Sequence, residues 1–326
     1  MQYALFKSFL DAISTLTSHQ KNILNKALSP EVETKTHQPN LSTTIQQKFS
    51  EHPRCPHCES DQIKRWGSSD GKQRYRCKSC HKTFNALTAT PLARLRHPEK
   101  WQTYLNGMSH STTLRVAASE CGVTLRTSFR WRHRFLVVLE DDQGNDLGDI
   151  VELDETFLRE SFKGQRSELP RPARQRGNDK KTDCRKIPVL VARDHSSRTV
   201  DGILANESAS EMQQHLEGHL SSKAILCAEA SLAHEKLARD MELPLKELVT
   251  SVGQHVIEGV FHIQHVNAYH SHLKGWIHGV FHGIATKYLK HYLGWRRVLT
   301  EATELTGERL SEKIAGHWFK QQIKAT

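Results

Sequence analysis

No apolar run in this chain approaches the ~20 residues that a membrane-spanning helix needs, so no helical membrane span is expected. The start carries no signal-peptide pattern, because Lys7 interrupts the only apolar stretch there. Cysteine is sparse: seven residues in 326 argue against a secreted disulfide scaffold and against an oxidising compartment. There is no internal repeat. These absences lead to the expectation of a cytoplasmic protein with no membrane partner.

Positive charge is abundant. Lys and Arg number 46 against 36 Asp and Glu, a formal net charge of +10, which favours a polyanionic partner such as nucleic acid. The length suffices for two or three domains with a sizeable core. Residues 1–30 have helical apolar spacing (Leu5, Phe9, Ile13, Leu16, Ile23, Leu24), and residues 31–50 are polar and read as a linker. Residues 97–140 are helical, with Trp101, Tyr104, Leu105 and Met108 on one face. The acidic, turn-rich EDDQGNDLGD at 140–149 marks a boundary. Beyond it, IVELDETF, IPVLVARD, TVDGIL and AILCA are short strands interleaved with helices, an α/β pattern. Residues 159–186, basic and containing Pro and Gly, read as a loop.

Four cysteines fall in CPHC (Cys55, Cys58) and CKSC (Cys77, Cys80), separated by eighteen residues. Two C-x2-C turns brought together by a hairpin fit a tetrahedral structural zinc site with four thiolates. Lys64, Arg65, Trp66, Lys72, Arg74, Tyr75, Arg76, Lys78 and Lys82 interleave cations with aromatics around it. Such a surface suits phosphate contact and base stacking, or is a solvated basic face. Cys121, Cys184 and Cys227 lack paired spacing and are expected to be unligated.

Residues 111–136 read as helix, tight turn, helix, with Gly122 at the turn and Thr124 positioned to cap the second helix. That helix carries Arg126, Arg130, Arg132 and Arg134 around Phe129 and Trp131, as a major-groove recognition helix would, or as an ordinary hairpin with a basic face would. Ser128 stands where an apolar residue is more usual.

In VELDET, period-two alternation sends Val151 and Leu153 inward and Glu152 and Asp154 outward. Glu229 follows the strand AILCA. Acids on neighbouring strands could meet in a divalent-metal site for phosphoryl transfer. In residues 261–283, Asn267, His270 and Lys274 share one helix face, with Val266, Tyr269, Leu273, Trp276 and Val280 on an apolar one. The many histidines of this segment read as decoration of a helix facing DNA or solvent rather than as metal ligands.

Taken together, CPHC with CKSC, TSFRWRHRFL, VELDETF with FKGQR, IPVLVARD, and HIQHVNAYHSHLKGW with ATKYLKHYLGWRR resemble bacterial insertion-sequence transposases of the insertion-sequence-1595 family. The resemblance covers roughly residues 50–300. It implies an N-terminal helix and linker (1–50), a zinc ribbon (51–90), a helix-turn-helix (97–140), an RNase H-like mixed sheet flanked by helices (148–300) and a C-terminal helical tail (301–326). It implies binding of terminal inverted repeats in double-stranded DNA, through residues such as Arg74, Arg76, Arg126, Arg130 and Arg132. It further implies Mg2+-dependent strand cleavage and transfer with two ions, a homo-oligomer, and association with the nucleoid. By that resemblance Asp154, Glu229 and Asn267 are the magnesium-binding catalytic residues, Lys274 is a basic partner seven positions on, and Cys55, Cys58, Cys77 and Cys80 hold zinc.

The second catalytic position departs from the family's Cys-Ser-Asp-Gly, reading Cys227-Ala228-Glu229-Ala230. Glu carries its oxygens about 1.5 Å further out than Asp, against a catalytic tolerance of roughly 0.5 Å. Ala230 adds a Cβ at a turn where glycine's positive φ is expected. Cleavage by this chain is therefore expected to be impaired. Two other readings are a catalytically silent remnant that only binds DNA through its zinc ribbon, and an RNase H-like nuclease acting on other nucleic acid.

Overall fold

The computed structural model describes residues 41–165, 169, 185–301 and 306–324, together with Ala12, Leu16, Thr17, Gln20 and Lys21. Residues 1–39 and 40–326 are two separate compact units. In the first, the Thr17 N–H donates to Gln20 Oε1 (2.9 Å) and the Gln20 N–H to Thr17 Oγ1 (3.3 Å). This reciprocal pair is a capping box at the start of a helix. The rest of the expected N-terminal helix, and most of the expected basic loop over 159–186, lie outside the described residues.

In the second unit the structure replaces part of the expected linker with a helix, α1 (Leu41–Glu51). Its Leu41, Ile45 and Phe49 recur every four residues and are buried. Three apolar side chains among polar ones are enough when a neighbour supplies the other half of the contact. Phe49 lies 5.0 Å from the Tyr75 ring and 6.1 Å from that of Phe84.

Tyr75 and Phe84 belong to a three-stranded antiparallel sheet of β1 (Ile63–Ser69), β2 (Lys72–Cys77) and β3 (Thr83–Asn85). The β1–β2 hairpin closes on Asp70 and Gly71, both at positive φ (51° and 70°). This is the turn an Asp-Gly pair favours, because its twist matches that of the strands.

Three helices follow: α2 (Trp101–Ser109), α3 (Leu114–Glu120) and α4 (Leu125–Leu139). Thr113 and Thr124 cap α3 and α4, accepting from the Val116 and Thr127 N–H groups. Trp101, Tyr104, Leu105 and Met108 are all buried, as their spacing predicts.

Next comes a five-stranded mixed sheet, built from β4 (Ile150–Arg159), β5 (Lys186–Asp194), β6 (Thr199–Ile203), β7 (Ile225–Glu229) and β8 (Leu245–Leu248). Its order is β6-β5-β4-β7-β8, with β5 antiparallel to both neighbours and β4, β7 and β8 parallel. The edge strand β8 is short and mostly half-exposed, so it leaves no apolar run to mark it. One face packs on α5 (Ala209–Leu216) and α6 (Leu232–Asp240), through Val151, Leu153, Leu226 and Ala228. The other packs on α7 (Gln264–Gly279). Helices on both faces bury the first part of central strand β4, Val151 to Leu153. Glu152, expected outward, is therefore completely buried against α7.

Helix α8 (Leu289–Glu301) crosses α4 so closely that a Cβ on Gly294 would sit 2.5 Å from the Leu139 carbonyl oxygen. Only glycine fits there. Helix α9 (Gly307–Lys324) packs on α1, α2 and α4. A single apolar cluster runs from α1 through the small sheet and α2 to α7, α8 and α9.

A buried ion pair fixes α7 and α8 to the sheet. Arg297 bonds Asp201 on β6, Tyr269 of α7 donates to the same carboxylate (3.2 Å), and Arg297 also donates to the Glu140 carbonyl (2.6 Å). Removing one partner strands a charge in the interior. We expect Arg297→Ala to lower unfolding free energy by about 3–5 kcal/mol in urea titration, and Arg297→Met less.

Candidate active site and nucleic-acid interface

The cysteines converge. All four sulfurs lie within 4.8 Å of one another, with Cys55–Cys80 and Cys58–Cys77 each at 3.6 Å. Four thiolates about 2.3 Å from a zinc ion would stand ~3.8 Å apart, so the donor set and its spacing fit that ion. Each C-x2-C turn is followed by a residue at φ 59°, Glu59 and His81, so the two knuckles repeat one backbone shape. Beside them Trp66 is exposed, with Lys64 Nζ and the Arg76 guanidinium each 4.8 Å from its ring. Arg74 donates to Thr83 Oγ1 at 3.1 Å.

On the helix pair the structure divides the arginines. Arg126, Arg130 and Arg134 are exposed, and Phe129 stands among them, 39% exposed. Arg132 is not available to DNA, which corrects the expectation for that residue. It is fully buried, donates to the Thr112 carbonyl (2.8 Å), and lies 4.5 Å over the Trp295 ring. Its place on α4 turns it inward with Trp131 and Phe135 rather than outward with Arg130. Ser128 is buried and satisfied: its hydroxyl donates to the Leu114 carbonyl (2.9 Å), and Tyr104 donates to the Ser128 carbonyl (2.7 Å). A polar residue therefore ties α2, α3 and α4 together at the position expected to be apolar. We predict that Arg130→Ala leaves thermal stability unchanged, whereas Arg132→Ala lowers it by at least about 2 kcal/mol, read from denaturation midpoints.

The carboxylates come from the paired strands β4 and β7. Their register matches Glu152 with Cys227 and Leu153 with Ala228. One residue further, Asp154 and Glu229 stand side by side on the α7 face, at the C-terminal end of a parallel pair. Asp154 is 21% exposed. Burial and the neighbouring Glu155 and Glu229 charges push its carboxyl up to about 6.

Glu229 is exposed, and its Oε1 accepts a hydrogen bond from the Thr250 hydroxyl just past β8. Its backbone carbonyl meets His234 Nδ1 at 2.8 Å, and the Ser231 hydroxyl caps α6 immediately after. Ala230 is not among the positive-φ residues, so the expected need for glycine at that turn is overturned. The Ala230 N–H donates to the Leu248 carbonyl, continuing the strand pairing in place of a tight turn.

On the opposite face, Glu155 pairs with His234 Nε2 (3.1 Å). Burial opposes the charge of His234, but the Glu155 carboxylate outweighs it and raises the imidazole above its ordinary value.

From α7 the side chain brought to Asp154 is His270, with Nδ1 3.6 Å from Oδ2. Burial, then the Lys274 charge, lowers His270 to about 4, so it is neutral at physiological pH. Asn267 and Lys274 lie on the same helix, one exposed and the other half-exposed. Neither makes a hydrogen bond or ion pair with Asp154 or Glu229 among the described residues. Lys274 lines a groove of about 510 Å³ with Phe157, Arg159 and His278.

Sequence reasoning placed His270 on the right face but gave it no role, and it missed Glu155, His234 and Thr250. Nothing in a sequence marks a threonine 21 residues beyond Glu229 as that carboxylate's donor. The reading of the histidines as surface decoration is also overturned in part: His262 and His265 converge with His195 on buried Glu152.

Residues 146–296 match the ISXO2-like transposase domain family, a span containing both strands of the carboxylate pair and all of α7. Over 251 residues the chain is 27% identical to an uncharacterized protein in transposable element ISH50 of Halobacterium salinarum, covering 73% of this chain and 83% of that relative. Among solved structures, a pre-cleavage Mos1 transpososome aligns over 67% of this chain and 78% of its own, at 12% identity and a TM-score of 0.25, too low to support any argument. The family match and the transposable-element relative agree in direction: over residues 146–296 the chain is similar to the ISXO2-like transposase domain.

Proposed function

We propose that this chain is the DNA transposase of an insertion sequence, binding terminal inverted repeats and catalysing Mg2+-dependent strand cleavage and transfer. The observation that carries the reading is the side-by-side placement of Asp154 and Glu229 on adjacent parallel strands inside the transposase domain. Hard carboxylate oxygens facing a partly open surface are the donor set magnesium prefers. Asp154 and Glu229 would hold the divalent ions, and Asn267, on the helix face that also carries His270, would add a neutral oxygen.

When bound, Mg2+ supplies charge stabilisation of the phosphodiester and activation of the attacking oxygen. The protein's own share is positioning. Neutral His270 stands beside Asp154 without adding a positive charge that would repel the metal ions, Thr250 fixes Glu229, and Lys274 binds backbone phosphate along its groove. Trp66 with Lys64, Arg74 and Arg76, and the exposed Arg126 and Arg130, form the duplex-binding surface. The cysteine cluster holds zinc, and the ribbon, helix-turn-helix and RNase H-like sheet act as one unit. Because an element has two ends, the working form is at least a dimer.

The test is incubation of the purified full chain with linear DNA carrying the element's terminal repeats and Mg2+ or Mn2+. The expected product is a nick at the repeat end bearing a 3′-OH that joins to target DNA. Binding of the repeats with no cleavage under any divalent ion would overturn the enzymatic reading in favour of a silent DNA-binding remnant.

One observation favours reduced activity. Glu229 is a methylene longer than aspartate, and its Oε1 is already engaged by Thr250. A displacement of about 1 Å costs on the order of 100-fold in rate, so Glu229→Asp is expected to raise strand transfer at least about tenfold. A rate that Glu229→Asp leaves unchanged would show the longer acid to be fully competent.

A further inference from the structure

A second cluster lies two residues along β4 from Asp154, on the same face. Glu152 is completely buried, yet carries a carboxylate. Its Oε2 accepts the Val266 N–H at the first turn of α7 (3.0 Å). Toward its Oε1 converge three imidazoles: His265 Nδ1 at 2.5 Å, His262 Nδ1 at 3.0 Å and His195 Nε2 at 3.5 Å. His195 lies in the turn after β5, and His262 just precedes α7. The four donor atoms all fall within 4.8 Å of one another.

Hydrogen bonding alone accounts poorly for this arrangement. One carboxylate oxygen has two lone pairs, and three ring nitrogens approach it. Only His265 forms a well-aligned hydrogen bond; His262 and His195 come near without one. Four donors around an ion at ~2.0–2.1 Å would stand about 3.3–3.4 Å apart, within the range seen here. Three imidazoles and one carboxylate are the ligands of a borderline first-row ion, and they suit Mg2+ badly. A completely buried carboxylate also needs a compensating cation or a full set of hydrogen bonds, and a bound metal ion would supply the former.

We propose that Glu152, His195, His262 and His265 bind a single zinc-class transition-metal ion, distinct from both the four-cysteine site and the Asp154–Glu229 pair. With four protein ligands this site is closed, so its role is to position rather than to react. It fastens three pieces of chain: central strand β4, the β5–β6 turn and the start of α7. His270, nearly two turns into α7, reaches Asp154 only if that helix start is held against the sheet. The ion thus sets the register of α7 against the carboxylate pair.

The test uses the untagged full chain. Zinc content after dialysis against trace zinc is expected to be two equivalents per chain. Cys55→Ser with Cys58→Ser should remove one, and His265→Ala should remove the other, the histidine variant alone leaving circular dichroism unchanged. His265 is half-exposed, so its truncation leaves the core intact. His195→Ala is the second variant, and either substitution is expected to weaken the second equivalent on the order of 100-fold or more. With cobalt in place of zinc, the second equivalent should add visible ligand-field absorption without a thiolate charge-transfer band. The proposal is overturned if wild type binds one equivalent, or if both histidine variants keep two. These readouts do not depend on transposition, so their failure would leave the transposase reading untouched.

Discussion

Asp154→Asn is expected to abolish strand cleavage and at the same time make the metal-free protein more stable. On the first count, removing a carboxylate from the proposed two-acid catalytic pair would cost on the order of 10³-fold or more, because such residues do not act additively. On the second, Asp154 is largely buried and crowded by Glu155 and Glu229, which raises it from 3.8 to about 6. A group with a raised folded value favours the fold when protonated. That stabilisation is complete below about pH 4 and is lost as pH rises through about 6. At pH 7 the ionised carboxylate therefore works against folding, by ~3 kcal/mol before solvent screening and about 1–2 kcal/mol after it. The neutral amide removes this cost. Urea titration at pH 4 and pH 8, with chelator present, should show Asp154→Asn gaining on wild type chiefly at the higher pH. A variant that cleaves repeat DNA at the wild-type rate, or is less stable at pH 8, would remove Asp154 from the role assigned to it.

The second large effect concerns the cysteines. Cys77→Ser, or a strong chelator, is expected to unfold the three-stranded sheet and lower affinity for repeat DNA at least 100-fold. Structural zinc contributes about 10–16 kcal/mol of apparent folding free energy in small zinc-binding units, as much as the whole stability of an ordinary domain. This sheet has little else to hold it: Tyr75 and Phe84 are its buried aromatics, and β1 is mostly exposed. The damage should spread. Phe49 of α1 packs on those two rings, so α1 loses its apolar partner and the contact with α9 loosens. Limited proteolysis after chelation should cut first within residues 41–90, with the five-stranded sheet intact. A Cys77→Ser chain that binds repeats as wild type does would separate the cluster from DNA recognition.

Much of the fold was legible because its signals are local. Paired C-x2-C spacing, the Thr124 cap before α4, and short apolar strands each act over a few neighbours. Helix α1 escaped because its three apolar residues look insufficient until Tyr75 and Phe84 meet them across the chain. Strand β8 escaped because an edge strand needs no apolar run. Arg132 was read with Arg126 and Arg130, since charge suggests exposure; in the structure it is spent on Trp295, Tyr104 and the Thr112 carbonyl.

The sequence by itself determined the chemistry available: four thiolates at metal spacing, acids on strands, a basic surface, and an ordered motif set that resembles that of transposases. What only the tertiary structure decided is which groups meet. Strand register put Glu229 beside Asp154. The Ala230 turn proved free of positive φ, which leaves the extra methylene of Glu229 as the one departure that bears on activity. Burial of β4 on both faces turned Glu152 from an outward acid into the centre of three histidines from two distant segments. Period-two alternation gives a side chain's face but not what covers that face, and cover decides whether a charge is solvated, paired or bound to a metal.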